Sequence, residues 1–515
     1  MTDESRLETT LFLLALIALL LAACAPANTP TPPTTLAEAT TTARSIFTPL
    51  TARQIGERVA YGQGYRQDEE GIIVVQFNGN HAQIHEQVNV LLKDEIAAFN
   101  AIILRNRAIQ NLGCTNFAAF GSASADGHLW HGRNFDFYSL GAMDRYRVVF
   151  IVEPEGKIPF ASISWPGWGG PEIVHTAMNS AGISLGYNWS NSNQESIATA
   201  DRLWRLLRRV IEDAHTIEEA IAILEKGPRV SSANLLIADG KAPDAVVVEM
   251  TSKKMFVRRA TDGILYATNH FTTPEMQEPI KDLNSSARYQ RIGDLLRANR
   301  GQVDLERVIS FLRDHFDTRT QRDDLSGDVI AWNINLQSEV FSPSDLTFWV
   351  ARGLAPAVYG QSVGFSLEDE LAGNQQKTAL RAMAPDAVIQ SPRYATLQTF
   401  QSGYIAYLEG DYAKAASELE KAVAVEPTNG TYRFNLASVY LNQKKYADAI
   451  REFQQAVASD MNEVYQATAY FRLGTIYQAM GDQEKMRATF QKVLDLNIGE
   501  PTIEEPARRA LGPGQ

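Results

Sequence analysis

The sequence predicts an α+β protein, with β-sheets layered between helices, followed by an all-helical repeat. Three observations carry that expectation. From Cys114 to about residue 372, β-branched and aromatic runs of strand length alternate with turn signals and two groups of helical pattern. From 395 to 500, small and apolar residues recur with a fixed period. Between the two, residues 373–394 (GNQQKTALRAMAPDAVIQSPRY) lose regular periodicity and read as a linker.

At 515 residues the chain is long enough for two to four domains with their own cores. Its composition, 45% hydrophobic and 21% charged, is that of an ordinary globular protein. The formal net charge of -12, with no basic block, excludes a nucleic-acid backbone as partner, because phosphate binding needs clustered Lys and Arg. No metal-ligand cluster, phosphate-binding glycine loop or flavin fingerprint is present, so no cofactor is expected.

Residues 1–23 read as a signal peptide. Leu11 to Ala23 is an apolar run too short to span a membrane and the right length for a signal core. It ends in Leu21-Ala22-Ala23-Cys24, which resembles a bacterial lipobox. The segment before it carries Asp3, Glu4 and Glu8 against Arg6, where such signals are usually basic. The resemblance implies a lipid on Cys24 and a protein held on the extracytoplasmic side of a bacterial membrane. Residues 24–45, rich in Pro, Thr and Ala, cannot bury enough surface to fold and read as a tether. Only two cysteines exist, so a lipidated Cys24 leaves Cys114 an unpaired thiol in an oxidising compartment.

Residues 46–113 form a compact pre-segment. A strand is expected over Gly71–Phe77 and one amphipathic helix over His85–Arg107. Strands follow in CTNFAAFGSAS and HLWHGRNFDF, joined at Asp126-Gly127, then in RVVFIVEP and FASISWPG. A turn at Asn179–Gly182 leads to a strand ending Tyr187-Asn188-Trp189. Helices are expected over 201–226, 288–299 and 305–316, with four strands between 231 and 271 and two more closing the sheets by 353.

The repeat is explicit in residues. Gly403, Gly410, Ala415, Leu419, Ala422 and Pro427 recur 34 positions later as Ala437, Lys444, Ala449, Phe453, Ala456 and Met461. A third copy, Gly474, Gly481, Met486, Phe490 and Val493, is offset by 37, which places three extra residues around Met461-Asn462-Glu463. A 34-residue period with small residues at close helix crossings resembles tetratricopeptide repeats, three being about the minimum for a stable stack. Such a stack presents a concave face to a protein partner. Residues 501–515 are a tail.

The chemistry centres on Gly113-Cys114. A cysteine attacking an amide needs a base, and this chain has eight histidines, none in a protease setting. If the Gly113–Cys114 bond were cleaved, the α-amino group of Cys114, with a pKa near 8, would be that base. Glycine at 113 removes the Cβ that would hinder the thiol's approach to the preceding carbonyl. A lone strand cysteine is by default a small buried hydrophobe. The adjoining glycine and the hairpin His131-Gly132-Arg133-Asn134-Phe135-Asp136 weigh the other way.

With these residues in view, GCTNFAAFGSASADGHLWHGRNFDF resembles the cysteine-type N-terminal nucleophile (Ntn) hydrolases. These are the isopenicillin N acyltransferase-like enzymes, related to bile salt hydrolase, acid ceramidase and N-acylethanolamine amidase. The resemblance implies a four-layer αββα sandwich over residues 114–372 and autocleavage at Gly113–Cys114. It further implies that Cys114 is the nucleophile, that Arg133 stabilises the thiolate and that Asp136 holds the new amino group. Asn188 and Asn269 would form the oxyanion hole, and Arg288 would orient the site. Arg133 and Asp136, three apart, would face opposite sides of a regular strand, so a bulge or strand end near Asn134 is expected.

The function so implied is an autoprocessed amidohydrolase or acyltransferase that cleaves a C–N amide of a small N-acyl substrate through a Cys114 thioester. Two alternatives stand beside it: a catalytically inactive scaffold working through its repeats, and an esterase of phospholipase type.

Overall fold

The structure, a computed structural model, describes residues 56–105, 112–137, 143–167, 170–190, 200–277, 283–374 and 377–512. The segments expected to be a signal peptide and a tether, with Cys24, lie outside the described residues.

Two sheets make the core. The larger has ten strands: β1 (Val59–Tyr61), β2 (Gly64–Glu69), β3 (Ile72–Gly79), β6 (Val148–Pro154), β7 (Phe160–Ser164), β8 (Thr176–Asn179), β9 (Ile183–Trp189), β10 (Ala233–Asp239), β11 (Asp244–Met250) and β12 (Met255–Arg259), in that spatial order. The smaller has six, in the order β13 (Ile264–Ala267), β4 (Leu112–Ala119), β5 (Trp130–Phe137), β16 (Asn335–Ser342), β17 (Thr347–Ala351) and β18 (Ser362–Ser366). A short hairpin, β14 (Phe316–Asp317) and β15 (Arg322–Asp323), stands apart from both.

The inner faces meet in an apolar layer that joins Val74, Val149 and Ile163 of the large sheet to Phe341, Phe348 and Phe365 of the small one. The large sheet's outer face is covered by α1 (His81–Leu91), α3 (Ala200–Asp213) and α4 (Ile217–Lys226). The small sheet's outer face is covered by α5 (Leu283–Ala298) and α6 (Leu305–Leu312). This is an Ntn-hydrolase-like sheet-and-helix domain, with helices outside both sheets.

The pre-segment is not a separate layer. It supplies three strands of the large sheet, and β3 pairs in parallel with β6 from Ile73↔Val148 to Gly79↔Pro154. Val74, Val75 and Phe77 are fully buried there, each stabilising the fold by about 1.5–3 kcal/mol of transfer free energy. The helix expected over 85–107 is two helices, α1 and α2 (Lys93–Arg105), which break at Leu92. Leu91 and Leu92 are both buried, so the apolar spacing runs through the break without marking it.

After α7 (Leu367–Leu371), the repeats pair α8 (Pro392–Leu408) with α9 (Tyr412–Val425), α10 (Gly430–Asn442) with α11 (Tyr446–Val457), and α12 (Glu463–Ala479) with α13 (Gln483–Leu496); α14 (Pro501–Leu511) closes the stack. Small residues sit where helices cross closely: a Cβ on Gly474 would meet the Phe490 ring at 2.6 Å. The extra residues of the third repeat lie in a helix, not in the loop expected from the sequence. Helix α12 has 17 residues, as α8 does, against 13 in α10. That is about one added turn, which preserves the packing face as a loop insertion would not need to.

Candidate active site

Strands β4 and β5 form a continuous antiparallel ladder, from Leu112↔Phe137 to Ala119↔Trp130. Cys114 lies opposite Phe135 and Asn116 opposite Arg133, so these four side chains share the face between the sheets. Gly113 lies opposite Asp136 and Thr115 opposite Asn134, on the helix-covered face. The expected bulge near Asn134 is therefore absent from β5. The irregularity belongs to the neighbouring strand β16, between Asn335 and Gln337. A regular β5 lets Arg133 approach the thiol from one side while Asp136 lies beside the Gly113–Cys114 peptide on the other.

The structure shows a further reason for glycine at 113, beside the approach of the thiol expected from the sequence. Its φ is not in the left-handed region, so conformational freedom is not what it supplies. A Cβ there would stand 2.7 Å and 2.8 Å from Cζ3 and Cε3 of Trp332, and 3.3 Å from the Asp136 Cβ. Only glycine leaves room for the Trp332 ring.

The peptide is held at both ends of residue 114. The Cys114 N–H donates to Asn269 Oδ1 at 2.9 Å, and Arg288 Nη1 donates to the Cys114 carbonyl at 2.5 Å and to Thr115 Oγ1 at 3.1 Å. Arg288 Nη2 donates to the same Asn269 oxygen at 2.8 Å. On the inner face Arg133 Nη2 donates to the Tyr187 carbonyl at 2.7 Å and stands 3.9 Å from Cys114 Sγ. Arg133 Nη1 is 3.8 Å from Glu339 Oε2.

Burial dominates the electrostatics. It pushes the Cys114 thiol up to about 11, against the pull of Arg133 and Arg288, so the thiol is neutral at pH 7. Burial likewise raises Asp136 to about 6, opposed by Arg288, by the 2.9 Å hydrogen bond from Asn335 Nδ2 and by Arg133. Glu339 is raised to about 7 by burial, and Arg133 and Arg147 oppose it. His131 is lowered to about 3 by burial and by Arg133, so its ring is neutral; it faces Asn116 and Ser184.

All six residues singled out as catalytic thus converge. Asn188 reaches the site through Asn116, whose Nδ2 donates to Asn188 Oδ1 at 2.6 Å. The two asparagine amides are not aimed as expected, however. Asn188 Nδ2 donates to the carbonyls of Ala267 and Thr268 at 3.0 and 3.1 Å, and Asn269 Nδ2 donates to the Trp189 carbonyl at 2.7 Å. As seated they lash β9 to the end of β13 and the residues after it, and do not point donors at the Gly113–Cys114 bond.

Trp332, Asn335, Asn116 and Glu339 were not found by sequence reasoning. Only Glu339 left a trace: with Gln337 it places polar residues at alternate positions of an otherwise strand-like run, on the inward face.

Known proteins match both the sheet-and-helix domain and the repeat stack. Residues 123–354 match the family model described as acyl-coenzyme A:6-aminopenicillanic acid acyl-transferase. This acyltransferase-like part includes Arg133, Asp136, Asn188, Asn269 and Arg288, and begins beyond Cys114. Residues 406–470 and 467–497 match tetratricopeptide repeat models. An uncharacterized protein of Archaeoglobus fulgidus is 24% identical over 224 residues, 38% of this chain and 36% of its own length. The chain spans between 12% and 36% of the length of the curated relatives it matches.

Among solved structures, the Caenorhabditis elegans ortholog of N-acylethanolamine-hydrolyzing acid amidase is 18% identical, covering 45% of this chain and 93% of that one at a TM-score of 0.34. A mutant conjugated bile acid hydrolase from Clostridium perfringens is 14% identical, covering 52% and 96% at a TM-score of 0.34.

Proposed function

We propose that this chain is a self-processing amidohydrolase or acyltransferase whose nucleophile is Cys114. The observation that carries the proposal is the seating of the Gly113–Cys114 bond. Its nitrogen is tied to Asn269, the following carbonyl to Arg288, and Gly113 is pressed on Trp332, with Arg133 beside the thiol. Sγ attacks the Gly113 carbonyl carbon, and the proton leaving the thiol passes to the Cys114 nitrogen as the C–N bond breaks. A thioester and a free α-amino group at Cys114 result. Water then hydrolyses the thioester, leaving a carboxylate on Gly113 and the thiol on the new N-terminus.

The α-amino group, with an ordinary pKa near 8, is thereafter the base that activates the neighbouring thiol. It answers the difficulty that burial creates in turnover, since a thiol held near 11 is almost wholly protonated at pH 7 and attacks faster when a neighbouring base takes its proton. In turnover the thiol attacks the carbonyl of an N-acyl amide, the amine leaves protonated, and water or a second amine resolves the thioester. Arg133 supports the thiolate, Asp136 lies where the amino group forms, and Asn188 and Asn269 hold the frame. The repeats would bring a protein partner to the same molecule, and the lipid on Cys24 would hold it at a membrane.

The test is intact mass with N-terminal sequencing, on the wild-type protein and a Cys114→Ala variant. Two fragments with a new N-terminus at Cys114, absent from the variant, are expected. A single uncleaved chain in both would overturn the proposal.

A further inference from the structure

Each of the three repeats sends a helix against one stretch of the acyltransferase-like part. Gln398 and Gln401 of α8 donate to the carbonyls of Ala355 and Asn333 at 3.3 and 2.6 Å. Asn429, the N-cap of α10, donates to Ser326 Oγ at 2.8 Å. Asn462, the N-cap of α12, donates to both carboxylate oxygens of Asp328 at 3.1 and 3.0 Å.

The last contact continues inward. Asp328 Oδ1 also accepts from Asn284 Nδ2 at 2.9 Å, and Asn284 Oδ1 accepts from Arg288 Nε at 2.8 Å. Arg288 then holds the Cys114 carbonyl and Asn269 Oδ1, which holds the Cys114 N–H. Asn462 and Asp328 are each 6% exposed, and Arg288 and Asn269 1%. Water therefore competes little at the two ends of the path, while Asn284 between them is half-buried; each bond polarises the next.

The relay has a direction built into its chemistry. An amide has a donor end and an acceptor end. While Asp328 accepts from Asn284 Nδ2, the Asn284 oxygen must face Arg288 Nε, which fixes the roll of the guanidinium plane and so where both Nη atoms point. Asp328 is itself held by the two donors of Asn284 and Asn462; Asp317 and Arg319 act on it with opposite sign.

We propose that Asn462 of the third repeat is a positioning residue for the Gly113–Cys114 bond, acting through Asp328 and Asn284 on Arg288. This rests on the bond being the reacting one. The repeats are then part of the frame of the site, with the N-cap of α12 seated on Asp328.

Asn462→Ser tests it, because serine keeps a cap oxygen for the Tyr465 N–H but loses the amide donors. Asn429→Ser is the control at an equivalent repeat contact off the relay. Asn284→Ser breaks the relay without touching the repeats, should the first variant fold poorly. Two readouts are taken on the full chain. In the first, the rate of Gly113–Cys114 cleavage should fall about tenfold in Asn462→Ser and Asn284→Ser, no further in the double variant, and stay within about twofold in Asn429→Ser. In the second, on a Cys114→Ala background that cannot cleave, the amide at position 114 should exchange with deuterium about tenfold faster in the relay variants only.

Unchanged rates and exchange, or equal effects in Asn462→Ser and Asn429→Ser, would overturn the relay. A wild-type chain that never cleaves would instead defeat the self-processing proposal, and the exchange readout alone would then decide the relay.

Discussion

Replacing Gly113 by alanine should nearly abolish self-cleavage, and a second substitution should restore it. The new Cβ would sit 2.7 Å from Trp332 Cζ3, about 0.7 Å inside ordinary contact at 3.4 Å. The indole cannot swing freely: Trp332 is 8% exposed, and the Arg288 guanidinium stands 5.8 Å from its ring. Relief must come from the ring and the strand together, at a cost of about 1–3 kcal/mol in stability. Displacement of the reacting bond matters more, since about 1 Å of misplacement costs on the order of a hundredfold in rate. The assay is a mass-resolved time course of fragment formation beside a thermal melt. Trp332→Leu added to Gly113→Ala opens the space and should return cleavage to within about tenfold of wild type. The steric account would be refuted by wild-type cleavage in Gly113→Ala alone, or by no recovery in the double variant.

Glu339→Gln should stabilise the protein at neutral pH. The folded state holds this carboxyl at about 7, above its ordinary value, so it binds the proton more tightly than the unfolded chain does. Stability therefore falls as pH rises from about 4.5 towards 7, by about 3 kcal/mol, and the variant should gain that at pH 7.5 and nothing at pH 4.5. Urea melts at the two pH values check this; a gain independent of pH would contradict it. Arg133→Gln should push the thiol still higher, because Arg133 is the largest influence lowering it. Alkylation of Cys114 by iodoacetamide, followed against pH, should shift to higher pH, and an unmoved profile would count against the pairing. After cleavage the pre-segment should co-elute with the remainder in native buffer and separate only in denaturant, because β3 is bonded along its length to β6. Separation without denaturant would show that the parallel pairing does not hold the fragments.

Much of the site was legible in the sequence because it is written locally. Gly113-Cys114 and Arg133–Asp136 lie on two adjacent strands with a short connection, so their meeting follows from one antiparallel ladder. Asn188 and Asn269 were legible as residues, but the direction of their amides was not. Which end of an asparagine amide faces the site depends on carbonyls supplied by Trp189, Ala267 and Thr268, tens of residues away. Trp332 gave no sign at all, since its partner is a missing Cβ more than two hundred positions earlier.

By itself the sequence determined the alternation of strands and helices in the central part, the repeat period and the residue types at Gly113-Cys114. All of these follow from spacing along the chain: alternation for strands, a 34-residue recurrence for the stack, a glycine before a cysteine. The tertiary structure alone decided that the pre-segment belongs to the large sheet, and that the strand irregularity falls in β16. It also decided that the third repeat spends its extra residues on a helical turn and seats its N-cap on Asp328. Those are contacts between segments far apart in sequence, fixed by which surfaces fit when the layers close, and no local pattern encodes them.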